Sequence, residues 1–94
     1  MLTIDKIKND VGFIAKKYNI ERIDLFGSYA DGTQTEKSDA DFLVKFSSTP
    51  SIFKVMGFKE EVEKNLKTPV DIVTLPLVRP EKLVIERTIN IYEK

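Results

Sequence analysis

Asp39 and Asp41 flank a single alanine at the mouth of an apolar run, Ala40-Asp41-Phe42-Leu43-Val44. Side chains alternate along an extended chain, so residues at i and i+2 project to the same side, a few ångströms apart. Two carboxylates held that way repel each other unless a cation lies between them. The sequence has no His and no Cys, which excludes disulfides, zinc-thiolate sites and thiol nucleophiles and leaves hard oxygen atoms as metal ligands. Such ligands favour Mg²⁺ or Mn²⁺. Mg²⁺ is commonly held by one or two carboxylates, with phosphate oxygens and water completing its octahedron, so the pair points to a phosphate-bearing substrate.

Phe26-Gly27-Ser28 lies upstream of the acidic pair, separated from it by residues 29–38. A glycine at the end of a strand lets backbone N–H groups approach a phosphate closely, and the Ser28 hydroxyl can donate to a phosphate oxygen. Downstream, Val70-Asp71-Ile72-Val73 places a third acid inside a second apolar run. If that strand lies beside the strand of Asp41, Asp71 joins the same cluster, where it could bind a second ion and take the proton of an attacking hydroxyl. Each element alone has a plainer explanation: a Gly-Ser turn, a solvated Asp-x-Asp loop end, an edge-strand acid facing water. Their coincidence in one order favours a joint site.

These residues need a scaffold. Ile4, Ile7, Val11, Ile14, Ala15 and Tyr18 recur at helical spacing after Thr3, a natural N-cap, and predict an amphipathic helix ending near Asn19. Residues 22–26 read as a strand feeding the Gly-Ser turn, residues 29–38 as a polar loop with room for a short helix, and residues 40–46 as a mostly buried strand. Ile52, Val55, Phe58, Val62 and Leu66 predict a second long helix, which Thr68-Pro69 ends. A strand is expected over residues 70–75, closed by Pro76, with a last helix from about Glu81. Ile89-Asn90-Ile91-Tyr92 fits either an extension of that helix or a strand.

A chain of 94 residues with 41% hydrophobic content fits one domain spanning residues 1–94. Fifteen basic and 15 acidic residues cancel to a net charge of zero, which speaks against bulk attraction to nucleic acid. No stretch approaches the roughly 20 apolar residues that span a bilayer, and the N-terminus carries charge early, so a cytoplasmic protein with no membrane association is expected.

Gly27-Ser28-Tyr29-Ala30-Asp31-Gly32 followed by Ser38-Asp39-Ala40-Asp41-Phe42-Leu43-Val44 resembles the minimal nucleotidyltransferase family of the DNA polymerase β superfamily. The similarity runs from the leading helix through Val70-Asp71-Ile72-Val73 to the tail. The resemblance implies an α+β fold, a small mixed β-sheet packed with α-helices. It also implies that Gly27 and Ser28 contact the nucleotide phosphates, that Asp39 and Asp41 hold two Mg²⁺ ions, and that Asp71 is the third carboxylate. The implied reaction is in-line transfer of a nucleoside monophosphate to a hydroxyl, with pyrophosphate leaving. One position departs from the pattern: relatives usually carry Arg where this sequence has Asp31, and exchanging a cation for an anion there should weaken nucleotide binding. Lys37, Lys45 and Arg79 are candidate substitutes.

Related polymerases and drug-modifying enzymes carry further domains for their acceptors, and this sequence is used up by the catalytic core, so the acceptor is expected from a partner. Members of the family resemble antitoxins paired with a helical HEPN-type ribonuclease toxin. The resemblance therefore implies a protein adenylyltransferase that moves AMP from ATP to a toxin tyrosine. An antitoxin that acts by binding alone is the alternative, followed by transfer to a small molecule or RNA.

Overall fold

The computed structural model describes residues 2–35, 37–75 and 87–94. Helix α1 spans Ile4–Ala15 and continues as a 3₁₀ turn, Lys16–Tyr18. Thr3 caps it as the sequence predicts, its hydroxyl accepting from the Lys6 N–H at 3.1 Å. Asn19 then takes a left-handed conformation, φ 55°, and turns the chain into strand β1, Ile20–Phe26. A four-residue helix α2, Ser28–Asp31, opens the loop that leads to β2, Ala40–Phe46. Helix α3, Ile52–Leu66, is capped by Ser51 and is followed by β3, Val70–Thr74. The last strand is β4, Ile89–Glu93.

The four strands form one mixed sheet in the order β3-β2-β1-β4. β1 runs antiparallel to both β2 and β4, whereas β2 and β3 run parallel, joined by α3 as crossover. Alternation sorts each strand into two faces. Ile23 and Leu25 of β1 and Ala40, Phe42, Val44 and Phe46 of β2 are buried with Ile7, Val11 and Ile14 of α1 and Phe58, Val62 and Leu66 of α3. Asp41, Leu43 and Lys45 fall on the other face. Phe58 anchors this core: it is fully buried and meets Tyr18 and Phe46 edge-on, with ring centroids 5.6 Å and 6.4 Å away.

Two details differ from the sequence pattern. Ile52 shares helical spacing with Val55 and Phe58, yet it is 66% exposed, because α3 is only partly covered at Val55 and buried from Phe58 onward, and the first turn carries its apolar side chains into solvent. The tail, open between helix and strand, is a strand: Ile91 is buried while β4 pairs with β1 across a register shift between Ile23 and Asp24. The helix expected from Glu81 lies outside the described residues. Among the described residues, no helix is long and apolar enough to cross a membrane.

Candidate active site

β1 delivers Gly27 to the end of β2. Phe26 pairs with Asp41 in the antiparallel register, so the next residue sits beside the Asp41 side chain. Gly27 adopts φ 76° and ψ −152°, a conformation that residues with a Cβ rarely take. A Cβ built there would overlap the Asp41 carboxylate, with Cγ at 3.3 Å and Oδ2 nearer still. Glycine is therefore required twice, once by the backbone and once by Asp41. The Gly27 carbonyl accepts from Ala30 N at 3.0 Å and Asp31 N at 3.1 Å, which winds α2 with Ser28 as its first residue.

Asp39 and Asp41 bracket Ala40, whose side chain is fully buried, so both acids are directed away from the helix-covered face. The loop before them is knotted locally: the Thr35 N–H donates to Ser38 Oγ at 2.8 Å, and the Lys37 N–H donates to Thr35 Oγ1 at 3.2 Å. The parallel register places Asp71 directly opposite Asp41, between Val70 opposite Ala40 and Ile72 opposite Phe42. Adjacent strands lie about 5 Å apart, so the pairing brings the third carboxylate to the first two. Asp39 and Asp71 are exposed and Asp41 is half-buried.

The electrostatics follow from that placement. Burial raises the Asp41 carboxyl above its ordinary pKa, and the charges of Asp71 and then Asp39 raise it further. A carboxylate pressed by two like charges is one that a cation relieves. Among the described residues, no three acidic side chains are drawn around one point closely enough to ligate an ion as they stand. Three hard-oxygen donors on one face of the sheet nevertheless fit the ligand chemistry of Mg²⁺.

Other residues singled out by the sequence are placed differently. Lys45 pairs with Glu21 at 2.9 Å, farther along β2, and Lys37 is exposed in the loop before Asp39. Arg79 lies outside the described residues. Asp31 is exposed at the end of α2.

Asp24, which the sequence reading passed over, is 7% exposed on the face that carries Asp41. Its carboxylate accepts from Arg22 Nε at 2.8 Å and from Asn90 Nδ2 at 3.1 Å, tying β4 to β1. An acid between Ile23 and Leu25 with Arg two residues before it was the available signal.

A sheet of this order, with an acidic pair opposite a third acid and a Gly-Ser turn over it, has the architecture of a polymerase-β-like nucleotidyltransferase. Residues 6–94 match the family described as polymerase beta, nucleotidyltransferase, and the chain belongs to that family. A relative from Methanocaldococcus jannaschii, provisionally named a protein adenylyltransferase, is 35% identical over 89 residues, which cover 95% of this chain and 94% of the relative. Protein adenylyltransferase MntA of Thermococcus cleftensis is 34% identical over 77 residues, 78% of each chain. Among solved structures, a toxin-antitoxin with AMP-PNP superposes with a TM-score of 0.79 at 23% identity, covering 93% of this chain and 73% of that one. The complex of tri-AMPylated Shewanella oneidensis HEPN toxin with MNT antitoxin gives 0.74 at 18% identity, covering 98% of this chain and 74% of that one. At those identities the two structures speak for the fold.

Proposed function

We propose that this chain is a Mg²⁺-dependent protein adenylyltransferase antitoxin, which transfers AMP from ATP to a tyrosine hydroxyl of a HEPN-type ribonuclease toxin and so neutralises it. The register of Asp41 against Asp71, with Asp39 on the same face, carries this reading, because three carboxylates beside a glycine turn suit a metal-bound triphosphate. The adenylyltransferase names of the relatives, and the solved complexes of this fold with AMP-PNP and with an AMPylated toxin, support the choice of donor and acceptor.

In this scheme Asp39, Asp41 and Asp71 would hold two Mg²⁺ ions. The ions, when bound, offset charge on the phosphates and on the departing pyrophosphate. The Gly27 turn lets the triphosphate lie close to the main chain, and the Ser28 hydroxyl donates to it. The tyrosine oxygen forms a bond to the α-phosphorus, the bond from that phosphorus to the bridging oxygen of the β-phosphate breaks, and Asp71 receives the phenolic proton. The protein acts in the cytoplasm, where toxin and ATP meet it.

Transfer of label from α-³²P-ATP to the purified toxin, compared for the wild type, Asp39→Asn and Asp41→Asn, tests the scheme. Labelling by the wild type and none by either variant is expected, and full-rate labelling by a variant would show that the wrong ligands were chosen. A second reading, neutralisation by binding alone, is favoured by the anion at Asp31. An Asp41→Asn chain that protects cells from the toxin as well as the wild type would establish it.

A further inference from the structure

Glu63, near the end of α3, makes two bonds across the short connection into β3. Its backbone carbonyl accepts from Lys67 N at 2.8 Å, closing the helix where Lys67 turns left-handed at φ 55°. Its side-chain Oε2 accepts from the backbone N–H of Val70 at 2.9 Å. Val70 is the first residue of β3, and the next is Asp71.

The direction of the Val70 N–H gives this bond its meaning. β3 stands at the edge of the sheet with β2 as its neighbour. Pro69 O accepts from Ala40 N at 3.0 Å and Leu75 N donates to Val44 O at 2.9 Å, so odd-numbered residues of this segment turn their main-chain groups toward β2. Main-chain groups alternate sides along a strand, and the Val70 N–H therefore points to the free edge. Glu63 occupies that direction and fastens the strand from the side on which the described residues supply no partner strand.

We infer that Glu63 is a positioning residue for Asp71: by holding the Val70 amide it fixes where the edge strand begins, and so where the third carboxylate stands relative to Asp41. The inference rests on the proposed reading of Asp39, Asp41 and Asp71 as a metal-nucleotide site. Mg²⁺ demands near-ideal octahedral geometry, and misplacing a reacting group by about 1 Å can cost on the order of a hundredfold in rate. Among the described residues, an edge strand released on that side is held at its start by the bond to Ala40 and by the packing of Val70. The contact needs an acceptor oxygen and no charge, so glutamine can replace glutamate.

Mn²⁺ binding in the presence of AMP-PNP, read by electron paramagnetic resonance, tests this with the wild type, Glu63→Gln, Glu63→Ala and Glu63→Leu, and with Asp41→Asn as control. Melting temperatures of all five proteins are recorded alongside. The expected result is wild-type affinity in Glu63→Gln and Mn²⁺ affinity lower by about tenfold in Glu63→Ala and Glu63→Leu, with melting temperatures close to the wild type. Leucine keeps the packing of the side-chain stem, so it decides the matter if the alanine variant does not fold. Wild-type affinity in either acceptor-lacking variant overturns the inference, as does a glutamine variant as weak as alanine. Failure of the reading beneath it looks different: the wild type itself then binds no Mn²⁺, or Asp41→Asn binds it equally well, and the inference falls with that reading.

Discussion

Asp41 on β2 and Asp71 on β3 are register partners on adjacent parallel strands, so two acids distant in sequence share one face of the sheet. Gly27, arriving from β1, leaves room for the first of them. Buried apolar neighbours on the opposite face, Ala40, Phe42 and Val70, set this arrangement, because a one-residue slip of either strand would turn its acid into the core.

Metal-free protein carries the repulsion among these acids as a cost. Asp41 titrates above its ordinary value in the fold, so its contribution to stability is present below its unfolded pKa and is lost as pH rises through the folded one. Asp41→Asn should therefore melt higher than the wild type in EDTA at neutral pH. In excess Mg²⁺ with AMP-PNP, the order should reverse. Thermal denaturation under the two conditions measures both.

Gly27→Ala should be damaging on two counts. The backbone conformation costs a residue with a Cβ about 1–3 kcal/mol, and the new methyl displaces the Asp41 carboxylate. Urea denaturation should show a loss of that size, and AMP transfer should fall further than the fraction unfolded explains.

Asp31→Arg tests the departure from the family pattern. The position is exposed at the end of α2, beside the turn that begins with Gly27 and Ser28. Replacing an anion with a cation should lower the KM for ATP by on the order of fivefold, since exposed charge contacts are modest. An unchanged KM would show that this side chain does not face the triphosphate.

Tyr18, Lys17 and Glu61 clip the 3₁₀ turn to α3. The Tyr18 hydroxyl donates to Glu61 Oε1 at 2.9 Å, and Lys17 pairs with the other carboxylate oxygen. Bonds from Lys17 and Tyr18 hold Glu61 below its ordinary pKa, and the bond to Glu61 holds Tyr18 above its own. Stability from Glu61 is present above its unfolded pKa and lost as pH falls through the folded one. Stability from Tyr18 is present below its unfolded pKa and lost as pH rises through the folded one. The stability difference between the wild type and Tyr18→Phe, measured in urea across pH, should be largest near neutrality and shrink toward both extremes.

Much of this was legible because local signals agreed with the fold. Thr3, the apolar spacing of α1 and the largely apolar run at Ala40–Phe46 each announce their element, and Asp39 and Asp41 announce a shared face by alternation alone. The pairing of β2 with β3 was less accessible, since register depends on contacts between residues 30 apart in the chain, such as Asp41 and Asp71. Ile52 misled because helical spacing does not say where the sheet beneath a helix ends. Asp24 and Glu63 escaped notice because their importance lies in partners, Asn90 and the Val70 amide, that only the fold supplies.

The intact mass of the HEPN-type toxin, measured after incubation with this chain, ATP and Mg²⁺ under conditions where the two proteins bind, tests the central claim most directly. The toxin should gain the mass of one or more AMP units on tyrosine, and gain none when Asp41→Asn replaces the wild type. A toxin that binds the wild-type chain and keeps its original mass would contradict the claim.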